Sequence, residues 1–114
     1  MSMNVEKALI KLLKQKNYDA YADVPNPMPS KFVTVERTGG GSNDQIDRPL
    51  IAVQCWADGR TEAADMADAV RKDLEAMTGT GGFGAVTVQT MYNWPDLLSR
   101  KARYQLTVDA TAHV

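Results

Sequence analysis

The sequence predicts an α+β fold: a mostly antiparallel sheet of four to five strands with two helices packed on one face. Two segments carry apolar residues at helical spacing, and several others alternate apolar and polar residues as strands do. Their order is helix, short strand, strand, strand, helix, strand, strand. The loops at 38–48 and 93–101 each connect two strands that are adjacent in sequence, which predicts two antiparallel hairpins. Each strand has one apolar face, which predicts that the helices cover one side of the sheet only. We treat 1–114 as a single domain, because 114 residues are the size of one ordinary domain.

Both predicted helices show one apolar stripe opposite a charged face. In the first, residues 5–16, apolar positions recur every three or four residues and lysines take the other side. The second, residues 62–77, has the same spacing and ends where four glycines follow within 78–84. Both predicted helices have candidate N-caps, which are short side chains whose oxygen accepts hydrogen bonds from the free backbone N–H groups of the first turn. They are Ser2 or Asn4 for the first helix and Asp58 or Thr61 for the second.

The strands are predicted from alternation and from β-branched content. The segments are a weakly alternating 18–24, followed by 31–37, 50–57, 85–90 and 102–111. Three prolines within 25–29 predict an extended or turning loop. The polar, glycine-rich stretch 38–48 predicts a second loop, long and flexible.

The composition argues against several classes of protein. The 13 Lys and Arg against 14 Asp and Glu give a formal net charge of −1, whereas a free-standing DNA-binding module usually shows a basic excess. A single cysteine excludes an intrachain disulfide. Lysines interrupt the N-terminal apolar stretch, unlike a signal peptide, and no apolar run approaches the roughly 20 residues of a membrane helix. We therefore expect a soluble protein made in a cytoplasm, without membrane association.

Residues that carry enzyme chemistry are few. The only histidine is His113, beside the C-terminus, where a general base is poorly held. Cys55 shares a strand face with Ile51 and Val53, so it is expected to be a buried small hydrophobe and not a nucleophile. The glycines at 39–41 lack the Lys-Ser or Lys-Thr of a Walker loop, and those at 79–84 follow a helix instead of preceding one. We expect no enzyme activity, no metal site and no cofactor.

Several motifs along the chain carry a family resemblance. They are the Arg37-Thr38-Gly39-Gly40 end of the strand that follows the prolines, Trp56-Ala57 before the second helix, and Arg103-Tyr104-Gln105 in the closing strand. With the N-terminal helix and the Pro-rich segment, they resemble the small tail proteins encoded in the head–tail joining region of siphophages and prophages of Gram-positive hosts. These proteins are similar to tail terminators of the lambda type, and the resemblance covers nearly the whole chain.

The resemblance implies a non-enzymatic subunit of the virion tail, synthesised in the bacterial host cytoplasm. Such subunits assemble with copies of themselves as a hexameric ring, which caps the tail tube and docks the tail to the head connector. The partners it implies are therefore a tail tube protein and a head connector protein. DNA passes through the lumen of the ring without specific binding, and no cofactor is implied.

The residues predicted to make these contacts lie in two regions. The loop 38–48 either makes docking or lumen contacts or is a disordered hairpin tip. Trp94 either anchors an interface or folds back over the sheet edge, and Trp56 either packs in a second small core or is covered by a neighbouring subunit. Three arginines are candidates for ion pairs between subunits. The full set of predicted interaction residues is Arg37, Thr38, Gly39, Gly40, Gly41, Asp44, Trp94, Arg100 and Arg103.

Other functions remain open at this stage. Another head–tail connector or neck protein has the same needs as a tail terminator. A monomeric binding or adaptor domain predicts no ring at any concentration. A small enzyme with an active site shared between subunits predicts a pocket with converging ionisable groups, and the single histidine disfavours it.

Overall fold

A computed structural model describes residues 4–43 and 45–113. Its two helices and five strands follow the predicted order. They are α1 (Val5–Gln15), β1 (Ala20–Tyr21), β2 (Lys31–Ser42), β3 (Ile46–Ala57), α2 (Arg60–Glu75), β4 (Phe83–Asn93) and β5 (Ala102–His113).

The strands form one sheet in the order β1-β2-β3-β5-β4. The short β1 runs parallel to β2, and every other neighbouring pair is antiparallel. Both predicted hairpins, β2–β3 and β4–β5, are present, and β5 inserts between β3 and β4. The predicted α+β class with a mostly antiparallel sheet is therefore confirmed.

The core lies between the helices and one face of the sheet. Alternate residues of the strands point into it, and the apolar stripe of each helix covers them. The fully enclosed members are Leu9, Leu13, Val33, Val35, Ile51, Val53, Cys55, Ala67, Val70, Leu74, Leu106 and Val108. Cys55 is buried beside Ile51 and Val53 as predicted, because the register of β3 places these three side chains on the helix side.

The predicted flexible loop over 38–48 is wrong. β2 continues to Ser42 and β3 begins at Ile46, so most of this stretch is paired strand. The glycines leave no apolar alternation to detect, yet they suit the geometry: the register shifts between Arg37 and Gly39, and Gly40 takes a φ of 94°. The hairpin turn is only 43–45, of which Asp44 lies outside the described residues.

The predicted cap of α1 is confirmed, and the predicted caps of α2 are wrong. The Asn4 side chain accepts a hydrogen bond from the Lys7 amide at 3.1 Å and caps α1, as predicted; Ser2 lies outside the described residues. Both candidates for α2 are wrong. Its N-cap is Gly59, with no side-chain hydrogen bond. Asp58 pairs instead with Lys101, which lies just before β5.

Candidate functional site

The strand register separates the predicted interaction residues into two groups at opposite ends of the sheet. Ala57 at the end of β3 faces Lys31 on one side and Ala102 on the other, whereas Ile46 at its start faces His113. Ile46 and Ala57 are the first and last of the 12 residues of β3, so the two ends lie roughly 35 Å apart. The long axis of the molecule measures 43 Å. We call residues 37–48 the hairpin tip and residues 94–101 the leucine loop.

An ion pair holds the hairpin tip together. The Arg37 guanidinium donates to both carboxylate oxygens of Asp47, at 2.6 and 2.8 Å, and its Nε donates to the Gly39 carbonyl at 2.9 Å. Asp47 is only 7% exposed. Hydrogen bonds from Arg37 hold the pKa of the Asp47 carboxyl below its ordinary value, against the opposing effect of burial. Arg37, a predicted intersubunit residue, is therefore engaged within its own chain.

The remaining surface of the hairpin tip is backbone-rich and open to solvent. Thr38, Gly40, Gly41 and Ser42 are exposed, and Gly39 is half-buried. The turn is closed by Asn43, whose side-chain oxygen accepts from the amides of residues 45 and 46 at 2.9 and 2.8 Å. The tip therefore presents backbone groups and short polar side chains on an ordered hairpin.

The leucine loop presents two large apolar side chains to solvent. Leu97 is 86% exposed and Leu98 is 97% exposed. The loop around them is well bonded: the Asp96 carboxylate accepts from the Ser99 hydroxyl at 2.6 Å, and the Arg100 amide donates to the Asp96 carbonyl at 2.9 Å. Sequence reasoning missed both leucines. The signal that could have found them is an adjacent apolar pair inside an otherwise polar turn.

Arg103 and Trp94 join the base of the leucine loop to the sheet. The Arg103 guanidinium lies over two indole rings, 4.8 Å from the centroid of Trp56 and 4.3 Å from that of Trp94. Its Nε donates to the Trp94 carbonyl at 2.7 Å. Trp94 therefore folds back onto the sheet while staying 47% exposed.

Trp56 belongs to a small second core on the face of the sheet away from the helices. Its ring stacks on Phe32 at 5.2 Å, and its indole N–H donates to the Thr34 hydroxyl at 3.1 Å. Of the two alternatives for this tryptophan, packing in a second core is the one the structure shows.

A cleft of about 400 Å³ opens at the same end of the sheet as the leucine loop, but on the opposite side of the molecule. It lies between the turn after α1, the start of β2 and the first half of α2. Tyr18, Phe32, Met66 and Ala69 line it, together with the charged residues Asp19, Lys31 and Asp65. The Tyr18 hydroxyl donates to Asp73 at 2.6 Å.

The groups with catalytic potential are dispersed. Burial raises the pKa of the Cys55 thiol to about 12, so this thiol is neutral at physiological pH. His113 is exposed at the end of β5, at the hairpin-tip end of the sheet. Over residues 4–43 and 45–113, no group of three or more His, Cys, Asp or Glu side chains is placed to hold a metal ion. In the same part of the chain, no helix combines the length and apolar character needed to cross a membrane.

Comparison with protein-family models and with curated proteins finds no match for this chain.

Proposed function

We propose that this chain is a structural phage tail protein, which caps the tail tube as a ring and joins the tail to the head connector. The observation that carries the proposal is the placement of two different contact elements at opposite ends of one sheet. The hairpin tip offers polar backbone, and the leucine loop offers exposed apolar side chains. A ring subunit that both binds its neighbours and docks a partner needs two separate contact surfaces of this kind.

The remaining parts of the proposal follow from the resemblance set out above. The subunit acts without catalysis or cofactor, and it assembles with copies of itself, as a hexamer in the virion. It is made in the host cytoplasm and ends in the virion tail. A formal charge of −1 suits a ring through which DNA slides, because a strongly basic lumen would bind phosphates.

Two alternatives share part of this support. A different connector or neck protein also bridges two partners, and the position of the protein in the virion separates it from a terminator. A monomeric binding or adaptor domain would use the exposed leucines alone. It predicts one partner, and it gives the hairpin tip no role.

Binding to purified tail tubes tests the proposal directly. Tubes from a phage that lacks this gene are mixed with the purified protein and imaged by negative stain, while native mass spectrometry follows the free protein over a range of concentrations. We expect a ring with a central hole at one end of the tube and renewed joining to heads. Tubes that stay bare, and heads that stay unjoined at saturating protein, would overturn the proposal whatever the state of the free protein.

A further inference from the structure

The exposed side chains of Leu97 and Leu98 form an apolar surface suited to contact with a partner. Two leucines almost fully in water are unusual on a small domain when they lie side by side on a bonded turn. Fully burying one leucine side chain stabilises a contact enough to change an equilibrium constant by about one to two orders of magnitude. The leucine loop therefore presents an apolar protrusion that suits insertion into a complementary recess.

The same chain has a recess whose lining is partly apolar and therefore suits a leucine side chain. The cleft between the turn after α1 and the first half of α2 has an apolar lining that includes Met66 and Ala69, and its volume is about 400 Å³. Lys31 and Ala102 both face Ala57 in the register, so the cleft and the leucine loop lie at the same end of the sheet. The cleft lies beside β1 and β2, whereas the loop joins β4 and β5, at the other side edge.

We infer that the leucine loop of one copy inserts into this cleft on the next copy. The inference rests on the proposed function, since it names the contact by which the ring subunits associate. The protrusion lies beyond the β4–β5 side of the sheet, and the recess opens on the helix side towards β1 and β2, at the same end of the sheet. This arrangement suits neighbouring copies placed side by side. Such a contact is heterologous, and its repetition by a closing rotation produces a ring.

Charge complementarity favours a second copy as the occupant of the cleft. Arg100 is exposed beside the leucines, and it is in none of the ion pairs formed within residues 4–43 and 45–113. The cleft carries Asp19 and Asp65 against a single Lys31. Asp96, the acidic residue of the loop, bonds to Ser99 inside the turn. An approaching loop therefore brings a positive charge to a cleft of net negative charge.

Cysteine cross-linking tests the contact between copies. Leu98→Cys and Ala69→Cys variants are prepared separately, mixed and treated with a short thiol cross-linker; the buried Cys55 supplies little background. We expect a heterodimer in the mixture. The matched control mixes Leu98→Cys with Ser42→Cys, an exposed position at the other end of the sheet. Cross-linking no higher than in that control would overturn the inference.

Charge reversal gives a second readout on the same pair of surfaces. Arg100→Asp and Asp65→Arg are each expected to lower the heterodimer yield about two- to fivefold, and the two variants mixed together are expected to recover it. Leu97→Asp, at a position that takes no part in folding contacts, is expected to lower the yield at least tenfold. Unchanged yield in the Leu97→Asp variant would also overturn the inference.

These outcomes are separable from the test of the proposed function. Rings at tube ends without loop-to-cleft cross-linking remove this contact and keep the tail function. Loop-to-cleft cross-linking without binding to tubes keeps the contact and removes the tail function.

Discussion

At the scale of single residues, the pair of Arg37 and Asp47 decides how the hairpin tip is held. A carboxylate with 7% exposure loses most of its hydration. Two charge-assisted hydrogen bonds from Arg37 replace the lost water, which is why the pKa of Asp47 lies below its ordinary value of 3.8 despite burial. The Arg37 side chain itself stays 30% exposed, so solvent screens part of the attraction.

The interaction between Arg37 and Asp47 can be measured by comparing single and double variants. We expect Arg37→Ala to lower the free energy of unfolding by about 1.5–3 kcal/mol, because it leaves Asp47 buried without its donor. The double variant Arg37→Ala with Asp47→Ala should lose less than the two single losses added together. Urea denaturation at neutral pH measures both quantities, and strict additivity would show that the two side chains do not interact.

The same pair gives a pH dependence of known sign. Because the folded-state pKa of Asp47 is lowered, its contribution to stability is fully present above its unfolded pKa and is lost as pH falls through the folded pKa. The stability difference between wild type and the double variant should therefore shrink on acidification below about pH 4. A difference that stays constant into that range contradicts the assignment.

At the scale of elements, two side chains partly cover the outer edge of β4. They belong to Glu75, the last residue of α2, and Thr78, which follows that helix. The Thr78 hydroxyl accepts from the Val86 amide at 3.0 Å and donates to the Val86 carbonyl at 3.3 Å. The Glu75 carboxylate accepts from the Val88 amide at 3.4 Å. An edge strand without such covers is a template for pairing with another chain. Over Val86 and Val88 this edge is therefore protected against pairing with another strand.

The β2–β3 hairpin depends on one of its three adjacent glycines. At Gly40, φ is 94°, and an added Cβ would lie 2.1 Å from the Arg48 carbonyl oxygen. At Gly41 an added Cβ meets nothing within 4 Å. We expect Gly40→Ala to lower the free energy of unfolding by about 1–3 kcal/mol or more, while the control Gly41→Ala stays within about 0.5 kcal/mol of wild type. If denaturant titrations show equal losses for Gly40→Ala and Gly41→Ala, the backbone at residue 40 does not have the positive φ given above.

The elements show where sequence reasoning succeeded and where it failed. Periodicity found both helices and the central strands because their apolar stripes are long and repeat without interruption. It failed at 38–48, since glycine carries no side chain and hence no alternation, although this stretch pairs with the nearby start of β3. The cap of α2 was missed for a different reason: Asp58 pairs with Lys101, which is remote in sequence.

At the scale of the whole molecule, the candidate site was predicted only in part. The motifs include residues at both ends of the sheet, but nothing in the sequence showed that register separates Gly40 from Trp94 by most of the length of the molecule. Leu97 and Leu98 were missed because an apolar residue in a sequence does not reveal whether anything covers it. The cleft was missed because its residues come from three separate elements.

The separation of the two ends predicts that their functions separate as well. Gly41→Arg places a large cation on the exposed hairpin tip, where the space around Gly41 is open. It should leave the fold and the loop-to-cleft cross-linking unchanged. Because it alters the surface offered to one axial partner, it should abolish head joining in a complementation assay with a phage lacking the gene. Leu98→Asp should have the converse effect: it should impair the cross-linking between copies before it affects head joining. If Gly41→Arg also blocks cross-linking, the hairpin tip lies in the contact between subunits. If it restores full infectivity, the tip has no part in docking, and the two-ended arrangement loses its functional meaning.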